Sequence, residues 1–230
     1  KYGTDKPDLR FGLEIKDLSE ILKDSNFKVF SNVMKSGGFV RAINAKGCGN
    51  FSRKEINKME ELAKHLGGKG LATMRFENSK LQSNIEKFFS DDTKKKICEA
   101  MEVEENDLLL FVADKEKMVC KVLGELRNYL ARKLNLIGLG PDKMASPRGV
   151  DSSKFNFLWV TDFPLFEWNE EKNCWETAHH MFTMPREEHI KYLDEPENYG
   201  KIIGQLYDLV CNGVELSSGS IRCHRVDIQK

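Results

Sequence analysis

The sequence has no excess charge of either sign. Lys+Arg and Asp+Glu both number 36 in 230 residues, and the pI is near 7.1. A dedicated nucleic-acid binder ordinarily shows a basic excess, so the composition demands no such partner, although a balanced total can conceal a basic face. Long apolar runs are missing too. The longest, Leu108–Ala113, is far too short for a transmembrane helix, and the polar opening Lys1-Tyr2-Gly3-Thr4-Asp5-Lys6 is no signal peptide. No C-x-x-C pair occurs among Cys48, Cys98, Cys120, Cys174, Cys211 and Cys223, which argues against structural zinc and for reduced, mostly buried thiols in a cytoplasmic protein. There is no Walker A pattern, no internal repeat and no low-complexity tract. The first residue is not Met, and the sequence stops at Asp227-Ile228-Gln229-Lys230 without a helix stop or a tapering tail, so we expect a piece of a longer chain.

What is present is ordinary globular material, 40% hydrophobic and 31% charged, enough for one large domain or two modest ones. Residues 1–16 read as a loop and a strand, with Leu9, Phe11 and Leu13 alternating with polar neighbours. A short helix is expected over 17–22, then strands at Phe27–Phe30 and Phe39–Ala45. Ser52 and Glu55 have capping-box spacing at the head of a helix whose apolar face is Ile56, Met59, Leu62, Ala63 and Leu66, closed by Gly67-Gly68. Leu71–Phe76 reads as a strand, Ser83–Phe89 and Thr93–Met101 as helical, and Leu108–Ala113 as a buried strand. Asp114 is then the expected N-cap of a helix reaching about Leu136 and ended by Gly138, Gly140 and Pro141. Strands are expected at Phe155–Val160 and Leu165–Trp168, the latter turning through 169–173 into Cys174–Ala178. A helix over Glu197–Cys211 and strands at Val214–Leu216 and Ile221–Val226 complete the reading.

Four features in the last third carry chemical interest, none specific alone. His179-His180 precedes Phe182-Thr183, and adjacent strand side chains point to opposite faces, so at most one histidine serves a given pocket. Asp208 and Glu215, joined through Asn212-Gly213, are carboxylates able to share Mg²⁺ with a nucleotide's phosphates, or equally to be two solvated acids. Ser217-Ser218-Gly219-Ser220 allows close backbone approach, with hydroxyls for a metal or phosphate, or is a plain turn. Arg222 offers a planar fork to a carboxylate. Gly67-Gly68-Lys69-Gly70 is followed by no helix and fails as a phosphate loop, and Lys94-Lys95-Lys96 reads as a solvated helix face.

In order, these segments resemble the bacterial-type aspartyl-tRNA synthetases, which are class II. Tyr2-Gly3-Thr4-Asp5-Lys6-Pro7-Asp8-Leu9-Arg10 is similar to the stretch after their motif 2. Residues from about 18 to 142, with Gly68-Lys69-Gly70-Leu71-Ala72, resemble their GAD insert, shared with a subunit of the tRNA-dependent amidotransferases. Trp159-Val160-Thr161-Asp162-Phe163-Pro164-Leu165-Phe166, His179-His180-x-Phe182-Thr183, Tyr207-Asp208-Leu209-Val210, Asn212-Gly213-Val214-Glu215 and Gly219-Ser220-Ile221-Arg222 follow in family order.

The resemblance implies an α+β fragment: a GAD-type insert of mixed sheet and helices at 17–144, flanked by catalytic segments 1–16 and 145–230, the latter part of an antiparallel catalytic sheet without motif 3. It implies that His179 and Arg222 bind aspartate, that Glu215 binds ATP, and that Asp208, Glu215 and Ser220 lie near Mg²⁺. The parent, a cytoplasmic homodimer without membrane association, would join L-aspartate to ATP and pass the aspartyl group to the 3′ end of tRNA. Without motif 2, motif 3 and the anticodon-binding barrel, the fragment alone is expected to be inactive. Met181 stands where the family usually has Pro, Ser217-Ser218 where it has glycines, and Cys223 and Arg225 also depart from its pattern. The serines are tolerable only where φ stays negative or the loop shifts. Two rivals are a binding module working through the insert, as in the amidotransferase subunit, and a metal hydrolase using His179, His180 and the acids.

Overall fold

A computed structural model describes residues 1–136 and 154–229. The chain divides into two compact units. Unit 1 comprises Lys1–Asp5 and Arg10–Lys154, and unit 2 comprises Lys6–Leu9 and Phe155–Lys230.

Unit 1 runs β1 (Lys16–Asp17), α1 (Ser19–Leu22), α2 (Lys28–Lys35), β2 (Phe39–Ala45), α3 (Arg53–His65), β3 (Ala72–Glu77), β4 (Lys80–Gln82), α4 (Asp91–Met101), β5 (Asp107–Asp114) and α5 (Glu116–Lys133). The sheet order is β1-β2-β5-β3-β4. Every pairing in it is antiparallel, so the sheet is not the mixed one expected. Strand β5 is central, and both its faces are covered. Leu108, Leu110 and Val112 pack with Ile43, Ala45 and the α3 and α5 residues Met59, Val122 and Leu126. Leu109 and Phe111 pack with Val40, Ala42 and the α1, α2 and α4 residues Leu22, Phe30 and Ile97. A strand buried on both sides has no polar face, which is why Leu108–Ala113 is an unbroken apolar run.

Local signals build the elements. The Ser52–Glu55 capping box is formed in both directions, and Gly67 closes α3 at φ +99°. Helix α5 differs by one residue from expectation: Asp114 ends β5, and its carboxylate accepts from the Lys115 amide at 2.9 Å and from Lys69 Nζ at 3.2 Å. The expected stop at Gly138, Gly140 and Pro141 lies outside the described residues.

Three expectations in unit 1 are corrected. Residues 1–15 contain no strand, and the chain turns at Gly12 and Leu13 with φ of +62° and +53°. Phe27–Phe30 is not a strand: Phe27 is the N-cap of α2, whose buried Phe30 and Val33 lie three residues apart with Phe27 and Met34 packed alongside, a helical stripe too short to outweigh its two phenylalanines. Residues 83–89 hold only a 3₁₀ turn at Glu86–Phe88, since the chain has just made a tight β3–β4 hairpin through Asn78-Ser79 at φ +54° and +59°.

Unit 2 contains β6 (Phe157–Val160), β7 (Phe166–Asn169), β8 (Cys174–Thr177), β9 (Leu206–Cys211) and β10 (Val214–Ser220), with 3₁₀ turns at Glu187–Tyr192 and Pro196–Lys201. Strands β10-β9-β6 form one antiparallel sheet, and β7-β8 the expected hairpin. The helix expected over Glu197–Cys211 is absent. Asn212-Gly213 is not a helix stop but a two-residue hairpin turn, with φ +51° and +84° and Cys211 opposite Val214. Asn-Gly between two apolar stretches is the strongest short-range hairpin signal, and it outranks the helical reading of the residues before it. The strand expected at Ile221–Val226 is also absent; only Arg222 makes an isolated antiparallel bridge, to Thr183.

Candidate functional site

The β9–β10 hairpin aligns the acidic candidates. Directly opposed antiparallel residues share a face, and alternate residues of a strand share it too. Ser218 opposes Asp208, Ser220 opposes Leu206 and Glu215 opposes Val210, with an irregularity at Leu216 that absorbs one residue. Asp208, Glu215, Ser218 and Ser220 therefore lie on one face of the sheet. Neither Ser217 nor Ser218 has a positive φ, so serine costs no backbone strain at these places. The stretch is the second half of β10, not a turn. Glu215 Oε2 pairs with Lys6 Nζ at 2.9 Å, and hydrogen bonding to Lys6 holds the Glu215 carboxyl below its ordinary range. Lys6 belongs to the short segment 6–9 that groups with unit 2.

A second group gathers beyond the end of β10. The Cys223 amide donates to the Phe182 carbonyl and the Met184 amide to the Ile221 carbonyl, each at 2.8 Å, and these bonds bracket the Thr183–Arg222 bridge. The Arg222 guanidinium carbon lies 4.3 Å from the centroid of the Phe182 ring, and Nη1 donates to Ser220 Oγ at 2.8 Å. His180 stacks on Phe182 with centroids 5.0 Å apart and planes at 19°. His179 sits 6.4 Å from His180, ring to ring, and rests edge-on against Phe163 at 4.9 Å. His180, Phe182, Arg222 and Ser220 thus form one run of contacting side chains, with the His179 ring next to His180. Both histidines are exposed, as is Arg222, so the run opens to solvent.

Sequence reasoning gave Lys6 and Phe182 no role of their own. Lys6 is a common surface residue type whose partner is two hundred positions away. The aromatic in His-His-x-Phe was noticed, but its contact with Arg222 depends on a backbone bridge that no spacing reveals.

Among the described residues no three His, Cys, Asp or Glu side chains converge as metal ligands, so the histidine–acid hydrolase constellation is not assembled. Asp208 and Glu215 are two carboxylates on one sheet face. Oxygen-only donors in that number suit Mg²⁺, which keeps water and phosphate oxygens in the rest of its shell.

Unit 1 offers a cleft of about 740 Å³ lined in part by Lys16, Asn44, Lys46, Glu102 and Asp107. These groups cap α4. Lys16 Nζ donates to the Ala100 carbonyl at 2.8 Å, Asn44 Nδ2 to that of Met101 at 3.2 Å and Lys46 Nζ to that of Glu102 at 2.5 Å. Two ammonium groups at a helix C-terminus satisfy orphan carbonyls and complement the dipole.

Comparison with known proteins extends the picture. Residues 30–123 match the GAD domain family. The whole chain is 46% identical over 229 residues to the aspartate–tRNA(Asp/Asn) ligase of Geotalea uraniireducens, 45% over 230 residues to that of Desulfotalea psychrophila and 47% over 230 residues to that of Heliobacterium modesticaldum. The alignments take in 100% of this chain and 36%, 35% and 36% of those proteins, so the chain spans little more than a third of their length.

Proposed function

From the premise that this chain corresponds, over its whole length, to a GAD-containing segment of the aspartate–tRNA ligases, we propose that it supplies part of the aspartate- and ATP-binding machinery of such an enzyme. The whole protein activates L-aspartate with ATP, releases pyrophosphate and transfers the aspartyl group to the 3′ end of tRNA. In this reading 17–144 is the GAD insert, while 1–16 and 145–230 are catalytic-domain segments. The grouping of Lys6–Leu9 with Phe155–Lys230 supports bringing the two outer segments together.

The observation that carries the reading is the run His179–His180–Phe182–Arg222–Ser220 beside the Asp208/Glu215 face. With Nη1 of Arg222 bound to Ser220, the remaining edge of the guanidinium can take the substrate's side-chain carboxylate through two parallel hydrogen bonds. His179 binds aspartate beside it. Glu215 would serve ATP, and Asp208, Glu215 and Ser220 would hold Mg²⁺ through oxygen atoms, its charge stabilising the phosphates of the nucleotide. Ser220 Oγ keeps a second lone pair for that role while accepting from Arg222. The Lys6–Glu215 ion pair has to loosen or be shared when ATP arrives. Positioning and charge stabilisation of the in-line displacement at the α-phosphate are what these residues contribute, without a covalent enzyme intermediate.

No described helix is long and apolar enough to cross a membrane. A cytoplasmic homodimer is the assembly we assign to the full-length ligase. The 230-residue chain alone is expected to be inactive. Aspartate-dependent ATP–pyrophosphate exchange tests the proposal in the full-length ligase carrying this segment. Exchange that disappears in Arg222→Leu supports it. No exchange in the intact protein overturns it and directs attention to the GAD unit as a tRNA- or protein-binding module.

A further inference from the structure

We infer that Phe182 is a positioning residue for Arg222: its ring fixes the plane of the guanidinium that reads the substrate carboxylate, and so governs selection of aspartate. This rests on the functional reading above and adds a specificity determinant to it.

The geometry supports an orienting role for three reasons. First, the guanidinium is exposed, and an exposed arginine ordinarily samples many rotamers. Here it has a flat partner, the Phe182 ring at 4.3 Å, and an edge partner, Ser220 Oγ at 2.8 Å. A plane and one in-plane bond together define the orientation of a planar fork, which neither does alone. Second, Phe182 is itself held. Its carbonyl accepts from the Cys223 amide, and His180 lies nearly parallel to its ring at 19°. Third, Phe182 is half exposed, 45% accessible, so burial of its ring alone does not account for its placement. A two-bond clamp on a carboxylate depends strongly on pre-organisation, because a misaimed fork reaches one oxygen instead of two and loses its advantage over an amide.

The test uses the full-length ligase with three changes. Phe182→Leu keeps apolar bulk but removes the aromatic face, Phe182→Tyr keeps the face, and Arg222→Leu removes the fork. In ATP–pyrophosphate exchange, Phe182→Leu is expected to raise KM for aspartate about five-fold, in line with a surface cation–π contact, while KM for ATP and Tm stay unchanged. Discrimination of aspartate against asparagine should narrow in the same variant, and Phe182→Tyr should restore both quantities. Wild-type kinetics in Phe182→Leu, alongside an inactive Arg222→Leu, would overturn this inference and leave the function standing. A lowered Tm with both KM values raised would overturn it in favour of a structural role. Loss of exchange in none of the variants, or its absence from the unmodified enzyme, would overturn the functional reading itself.

Discussion

The two units solve the burial of a β-sheet differently. In unit 1 the central strand β5 is covered on both faces, and every α-helix of the described chain belongs to this unit. In unit 2 no α-helix among the described residues covers the β10-β9-β6 sheet, although Leu206 and Val210 on one of its faces are buried. Of the exposed large apolar side chains among the described residues, all but Val29 lie in unit 2. They include Phe157, Trp159 and Tyr207 on one sheet face, with Trp159 62% exposed and set edge-on to Tyr207 at 5.3 Å. The difference is one of cover: helices pack both faces of the unit 1 sheet, whereas the candidate residues of unit 2 project from strands and turns beside a sheet with one exposed apolar face.

The sharpest way to break this comparison is unfolding followed with two probes. All three tryptophans, Trp159, Trp168 and Trp175, lie in unit 2, whereas the helices that dominate far-ultraviolet circular dichroism lie in unit 1. In urea, the tryptophan fluorescence transition is expected at lower denaturant than the dichroism transition. Coincident curves would mean that the chain unfolds as one cooperative body and would end the distinction.

Single substitutions should then differ by unit. Phe111→Ala, in a β5 residue 1% exposed and near Phe30, is expected to cost about 3–5 kcal/mol in the dichroism transition. Trp159→Ala, followed through the remaining tryptophans, should cost less than about 1.5 kcal/mol, the worth of one aromatic pair on a surface. Similar losses at the two positions would contradict the reading of the Trp159 face as uncovered sheet surface.

A further substitution probes the seat of the first residues on α5. Gly124 lies within that helix, where alanine would ordinarily add about 1 kcal/mol of stability. Its Cβ would lie 2.8 Å from the Gly3 carbonyl oxygen, a backbone atom with little freedom to yield. Gly124→Ala is therefore expected to destabilise unit 1 by about 1–3 kcal/mol. A stabilised variant would show that residues 1–5 are not docked there.

The smallest effect is electrostatic. Glu55 has its pKa lowered from 4.5 to about 2, first by hydrogen bonding to Lys133 and then by the Ser52 backbone and hydroxyl of the capping box. A carboxyl depressed in the folded state binds fewer protons there than when unfolded, so its stabilisation is present above pH 4.5 and is lost as pH falls toward 2. The acid-side loss of the unit 1 transition midpoint should be shallower over that window in Glu55→Gln than in the wild type. Parallel pH profiles would show that the ion pair and cap carry no stabilising charge.

How far the molecule could be read in advance follows the same line between units. In unit 1 the Ser52–Glu55 box, the Leu108–Ala113 run and strand β2 were legible, because each rests on neighbours within a turn or a strand. The α2 helix and the β3–β4 hairpin were not, since a two-turn stripe and an Asn-Ser turn are weak local signals. In unit 2 the β7–β8 hairpin was legible. Strand β9 was missed because Tyr207-Asp208-Leu209-Val210-Cys211 fits a helix as well as a strand until Asn212-Gly213 is read as a hairpin turn. The candidate residues His179, Asp208, Glu215, Ser220 and Arg222 were picked by their order along the chain; nothing local distinguished them from surface residues.

The sequence alone determined the caps, the central buried strand and the identity of the candidate side chains, because these depend on residue type and on spacings of a few positions. Only the tertiary structure decided that the unit 1 sheet is wholly antiparallel, that Asp208 and Glu215 share a face, and that Phe182 lies against Arg222. Those facts depend on register between strands and on backbone bridges such as Thr183–Arg222, which couple residues tens of positions apart through hydrogen bonds that carry no residue signature.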